Sequence, residues 1–88
     1  MMRRRVRVTG RVQGVFFRDS CRREAERRSV AGWVTNDTDG SVTAVFEGAG
    51  ADVDALVAWC HRGPEHAVVD GVQVIDEHPT GTKGFVIR

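Results

Sequence analysis

The stretch RVRVTGRVQGVFFRDSCRREAERR, Arg5 to Arg28, decides how the chain folds, because its periodicity changes once, in the middle. From Arg5 to Thr9 polar and apolar residues alternate, the period-two signature of a half-buried strand. Gly10 to Phe17 has two glycines and no helical periodicity, and Asp19 and Ser20 then open a stretch rich in Arg, Glu and Ala. In that helix Phe17, Cys21 and Ala25 recur every four residues and share a face, while Arg22, Arg23, Glu26 and Arg27 face water. A strand, a glycine-bearing loop and a helix therefore follow one another directly.

Working outward, Gly32 to Asn36 reads as a second strand, and Asp37, Thr38, Asp39 and Gly40 supply residue types that tolerate a tight reversal. The return strand sets Val42, Ala44 and Phe46 on one face and Thr43, Val45 and Glu47 on the other, before Gly48 and Gly50 end it. Val53, Leu56, Val57 and Cys60 have the spacing of a second amphipathic helix, closed by Gly63 and Pro64. Val68 to Ile75 reads as a fourth strand, in which the differing parity of Val69 and Val72 predicts a bulge or irregular start. Gly84 to Arg88 adds a short fifth strand suited to a sheet edge. This order predicts an α+β fold on the split βαβ plan (βαββαβ): an antiparallel sheet, two helices on one face, and a short extra C-terminal strand.

Eighty-eight residues suit one domain, 1–88, with one core and one site. With 41% hydrophobic and 28% charged residues the composition excludes a disordered or membrane chain. Arg3, Arg4 and Arg5 run into the alternating Val6 and Val8 rather than into the apolar stretch of a secretory signal, so a cytoplasmic protein is expected. A net charge of +1 argues against a protein built to coat nucleic acid. Twelve arginines against one lysine fit a GC-rich genome, and abundance alone makes none of them functional. Cys21 and Cys60 match neither zinc-ligand spacing nor a CxxC pair and read as buried free thiols. His61, His66 and His78 lack metal spacing and read as surface residues, so no metal or cofactor is expected.

The chemistry points back to the first loop. Gly10–Arg11–Val12–Gln13–Gly14–Val15–Phe16–Phe17–Arg18 leads from a strand into a helix N-terminus, where backbone N–H groups attract anions. Gly14 permits angles that turn consecutive N–H groups inward, and Arg18 can grip two phosphate oxygens with its planar fork. Neither GxxxxGK[ST] nor a full GxGxxG is present, so a single phosphate group is the expected ligand. Spacing alone leaves open that the loop only closes a turn, and that Asn36 only caps the hairpin beside Asp37.

GRVQGVFFR followed by GWVTNDTDGSV resembles the two signatures of the acylphosphatase family at their usual separation, and the likeness runs through Gly63–Pro64 to Gly84–Ile87. The resemblance implies a ferredoxin-like fold and hydrolysis of carboxyl–phosphate mixed anhydrides without metal. In it the amides of Val12, Gln13, Gly14, Val15, Phe16 and Phe17 bind the phosphoryl group together with Arg18, and Asn36 positions the attacking water. It further implies direct water attack without a phosphoenzyme, the substrate's own phosphate taking the proton. Such assignments suit phosphoryl transfer, which needs charge neutralised on the equatorial oxygens and a nucleophile in line. A carboxylate leaves readily, so the want of an obvious general acid is consistent.

The sequence departs from the family at Asp37, where an uncharged residue is common. An anion beside the cradle would weaken phosphate binding, though in a solvent-facing turn the effect is about a few tenths of a kcal/mol. Trp33 and Phe16 read as partial core residues rather than as base-stacking platforms. The alternative is a noncatalytic anion- or RNA-binding module on the same plan, but the first strand lacks the exposed aromatics that RNA stacking needs. A domain detached from a larger carbamoyl-phosphate-handling enzyme is a variant of the same resemblance, and no zinc-type cysteine clusters follow to support it. The expected partner is a small-molecule acyl phosphate, with no nucleic acid and no membrane, for a chain acting as a monomer.

Overall fold

The computed structural model describes Met1–Arg88. Along the chain run β1 (Met2–Arg11), α1 (Phe17–Arg27), β2 (Ala31–Asn36), β3 (Val42–Gly48), α2 (Gly50–Cys60), β4 (Val68–Glu77) and β5 (Phe85–Ile87). The strands lie in the order β4-β1-β3-β2-β5. Val6 stands opposite Ala44 and Val74, and Val8 opposite Val42 and Val72, so alternate residues of neighbouring strands meet on one face. That face carries both helices: Phe17, Cys21 and Ala25 of α1 and Val53, Leu56, Val57 and Cys60 of α2 are buried against it. The α+β split βαβ plan therefore stands, with a two-layer core.

One part of the expected sheet needs correcting. Four strands pair antiparallel, but β5 pairs with β2 in parallel, Gly32 opposite Phe85 and Val34 opposite Ile87, so the sheet is mixed. The reason lies in Glu47, whose carboxylate is buried at the end of β3. It accepts from the Thr80 amide at 2.9 Å, the Gly81 amide at 2.7 Å and Arg3 Nη1 at 3.1 Å. These bonds draw the segment after β4 across the end of the sheet, and the chain, having reversed, meets the free edge of β2 running in the same direction.

The other differences are of extent. β1 outruns the expected Arg5–Thr9 at both ends: at its start Arg3 ion-pairs across the strands with Glu77 at 2.9 Å, and at its end Gly10 and Arg11 go on pairing with Val69 and Val68 past a bulge. α1 begins at Phe17, earlier than Asp19 and Ser20 suggested. The irregularity at Val69 and Val72 is a bulge: Thr9 faces Gly71 and Gly10 faces Val69, leaving Asp70 as the extra residue. Gly10 makes the bulge possible, since at φ +122° a Cβ there would sit 2.2 Å from the Val68 carbonyl oxygen.

Both thiols are free and buried. Burial drives the Cys21 thiol far above its ordinary value and pushes Cys60 up to about 12, so neither offers a thiolate nucleophile near neutral pH. Phe16 is not a core residue as expected. Its backbone is left-handed (φ 63°, ψ 27°), which swings the ring out to 77% exposure. Trp33 is half-buried on the open face of the sheet, with the Arg5 and Arg88 guanidinium groups 5.3 and 4.4 Å from its ring centroid.

Candidate active site

The loop from Val12 to Phe16 brings β1 to the N-terminus of α1, and what it does with its amides is decisive. A helix begins with N–H groups that have no intrahelical acceptor, and proteins usually satisfy some of them with a Ser, Thr, Asp or Asn cap. Here the N-cap is Phe16, which makes no side-chain cap bond. None of the main-chain N–H groups from Val12 to Asp19 donates to a backbone carbonyl. Gly14 at φ +74° and Phe16 at φ +63° give the loop left-handed turns of the kind that can bring successive N–H groups to one side. The positive end of the α1 dipole lies behind these amides, the arrangement in which a helix N-terminus can take an anion.

Eight of the twelve arginines are ion-paired, and of the four that are not, Arg11, Arg18, Arg62 and Arg88, only Arg18 lines the pocket beside the loop. Arg3, Arg4, Arg5, Arg7, Arg22, Arg23, Arg27 and Arg28 are all paired with carboxylates. Arg18, in the first turn of α1, forms no ion pair and lines a pocket of about 280 Å³ with Val12, Gly14, Phe16, Phe17, Asp19, Asn36 and Ile87. Asp19 is the one carboxylate in that lining, and it is already bound by Arg22 at 2.8 Å and Arg23 at 2.9 Å. A guanidinium without a counterion therefore lies beside amides without acceptors.

Asn36 reaches the same pocket from the end of β2. It does not cap the hairpin, because Asp37 has taken that part. The Asp37 carboxylate accepts from Ser41 Oγ at 2.8 Å and Thr43 Oγ1 at 2.6 Å, turned into the hairpin rather than out to solvent. Asp39 also accepts from the Ser41 hydroxyl and amide, which with Arg7 hold its carboxyl far below the ordinary range. With the turn satisfied by these groups, the Asn36 amide keeps both its donor and its acceptor for the pocket.

Of the expected site residues, Arg18, Asn36, Val12, Gly14, Phe16 and Phe17 line one pocket. Gln13 and Val15 do not present side chains there. Val15 is buried in the core, and Gln13 Nε2 donates to the Asp37 carbonyl at 2.7 Å and the Ser41 carbonyl at 2.9 Å. Gln13 thus ties the loop to the hairpin that carries Asn36. Two lining residues, Asp19 and Ile87, were not foreseen. Ile87 arrives only because β5 pairs with β2, for which the sequence carries no local signal.

Two interleaved βαβ units define a ferredoxin-like α+β domain, with a pocket at a helix N-terminus whose lining carries one cation, Arg18. Known proteins narrow the class to a family. The acylphosphatase family model matches residues 4–87. An acylphosphatase of Rubrobacter xylanophilus is 60% identical over 85 residues, covering 96% of this chain and 77% of the relative. The crystal structure of an acylphosphatase from Bacillus subtilis superposes with a TM-score of 0.96 at 35% identity, covering 100% of this chain and 99% of that one. Full-length HypF, in a phosphate- and nucleotide-bound form, matches with a TM-score of 0.91 at 27% identity over 99% of this chain and 12% of its own. The chain belongs to the acylphosphatase family, whose reaction is the hydrolysis of acyl phosphates.

Proposed function

We propose that this protein hydrolyses acyl phosphates by in-line attack of water at phosphorus, with Arg18 and the amides of Val12 to Phe17 binding the phosphoryl group and Asn36 holding the water. The observation that carries the reading is the pairing of an unsatisfied row of amides with the uncompensated Arg18 in one pocket. The Arg18 fork takes two equatorial oxygens, and the amides take the charge that builds on the phosphoryl group as the P–O bond to the carboxylate breaks. Asn36 Oδ1 accepts a hydrogen bond from the water, which aims the water's lone pair at phosphorus. Water adds, the carboxylate leaves with the bonding pair, and the proton passes to a phosphoryl oxygen. The products, RCOO⁻ and H₂PO₄⁻, balance the charge of the dianionic substrate. No metal or other cofactor takes part, and no phosphoenzyme forms.

The pocket is made by a single chain, and we assign the protein as a monomeric, single-domain enzyme. A cytoplasmic location is supported by the two buried free thiols, which suit a reducing compartment, and no helix is long and apolar enough to cross a membrane. A nucleic-acid-binding role is disfavoured because Arg3, Arg5 and Arg7 on the open sheet face are paired with Glu77, Glu47 and Asp39. Hydrolysis of benzoyl phosphate in ¹⁸O-labelled water, with a chelator present, tests the mechanism. Label in the phosphate supports attack at phosphorus; label in the benzoate, or no turnover, contradicts it.

A further inference from the structure

We propose that the Phe16 ring is the seat for the substrate's acyl group, and that the enzyme selects uncharged aromatic or branched acyl phosphates over those with a second carboxylate. This rests on the acyl-phosphate reading above and extends it to the part of the substrate that the phosphate cradle does not touch.

Phe16 is an expensive choice for the fold. Its left-handed backbone is strained for a residue with a Cβ, and glycine would relieve that strain. Serine or aspartate would cap the helix, which phenylalanine cannot do. The ring is 77% exposed, stands outside the hydrophobic core, and still lines the pocket. Nothing in the fold uses the ring, so what remains for it is what enters the pocket.

The mechanism says which part of the substrate that is. In-line displacement puts the leaving carboxylate on the side of phosphorus away from the water at Asn36. Asn36 and Ile87 enter the pocket from the adjacent strands β2 and β5, whereas Phe16 enters from the cradle loop. Of the two exposed apolar side chains in the lining, Ile87 shares the strand side with Asn36 and Phe16 stands on the loop side, so the acyl group is placed against Phe16, where a ring or branched chain gains apolar contact and an aromatic acyl group gains ring–ring attraction besides. The pocket holds about 280 Å³, at the small end for ligand sites, which suits a phosphoryl group with one ring and leaves no room for a nucleotide. Arg18 is the sole cation in the lining and is engaged by the phosphate. A second carboxylate would find no cation there besides the engaged Arg18 and would face the Asp19 carboxylate of the same lining.

The test compares kcat/KM for acetyl, benzoyl and 4-carboxybenzoyl phosphate in the native protein, Phe16→Ala and Ile87→Ala. The native protein is expected to prefer benzoyl over acetyl phosphate and to lose roughly tenfold on 4-carboxybenzoyl phosphate. Phe16→Ala should lower the benzoyl-to-acetyl ratio roughly tenfold, while Ile87→Ala changes both substrates by the same factor. An unchanged ratio in Phe16→Ala, a ratio that falls instead in Ile87→Ala, or equal use of the carboxylated substrate overturns the acyl seat alone. Absence of hydrolysis with every acyl phosphate removes the underlying reading as well.

Discussion

The two ends of α1 are finished in opposite ways. At the C-terminus Ser29 is left-handed at φ +56°, its amide bonds the Glu26 carbonyl at 3.1 Å, and the Val30 amide reaches back to Ala25 at 2.8 Å. This is a complete Schellman closure, and the nearby Arg27 and Arg28 are paired with Glu24 and Asp52. At the N-terminus Phe16 is also left-handed, but no cap follows, the amides from Val12 to Asp19 have no backbone acceptor, and Arg18 has no counterion. The same backbone conformation thus completes one end and leaves the other open. Strain at both ends is a folding cost, but only at the open end is there something left for a ligand to satisfy.

Damage at the open end should cost activity, and changes at the closed end should touch stability alone. The largest effect belongs to Arg18. Arg18→Ala should lower kcat/KM by at least about a thousandfold and abolish inhibition by inorganic phosphate, and Arg18→Lys should restore little, because an ammonium lacks the planar fork. Asn36→Ala should lower kcat by roughly two to three orders of magnitude while phosphate still inhibits with near-native affinity. Equal loss of phosphate binding in both variants would mean that the two residues do not divide the work as proposed. Gln13→Ala, which frees the loop from the hairpin, should reduce kcat on the order of tenfold through misplacement of Asn36.

The remaining effects are on folding. Hydrogen bonds from Thr80 and Arg3 hold Glu47, and those from Arg5 and Arg3 hold Glu77, below the ordinary glutamate value of 4.5. Because these folded-state values are depressed, the stability they contribute is present above that pH and is lost as pH falls below it. Tm should therefore decline on acidification through this window, and the decline should be shallower in Glu47→Gln. The smallest effect is expected from Ser29→Gly, which relieves the left-handed strain and should raise stability by about 0.5–1 kcal/mol without altering kcat. A change in kcat there would blur the distinction between the two ends.

Periodicity made most of the fold legible. Val6 and Val8, the four-residue repeat of Phe17, Cys21 and Ala25, and the Val53–Cys60 stripe each reported which side faces the core, because those contacts recur locally along the chain. The parallel pairing of β5 was not legible, since three residues carry no information about which distant edge they join. That Arg18 and the loop lie beside one pocket could be anticipated because a glycine-bearing strand-to-helix loop is itself a local pattern. The orientation of Phe16 could not, because phenylalanine gives no sign of a positive φ. Gln13 was expected to contribute its amide alone, and its side-chain bonds to the hairpin depend on a meeting of segments 24 and 28 residues apart.

Amide NMR during titration with inorganic phosphate tests the central claim most directly. The account predicts saturable shifts at Gly14 to Arg18 and at the Asn36 side-chain amide, none at Arg28 to Val30, and loss of the response in Arg18→Ala. Absence of any saturable shift in the loop at tens of millimolar phosphate, or an equal response at both ends of α1, would contradict it.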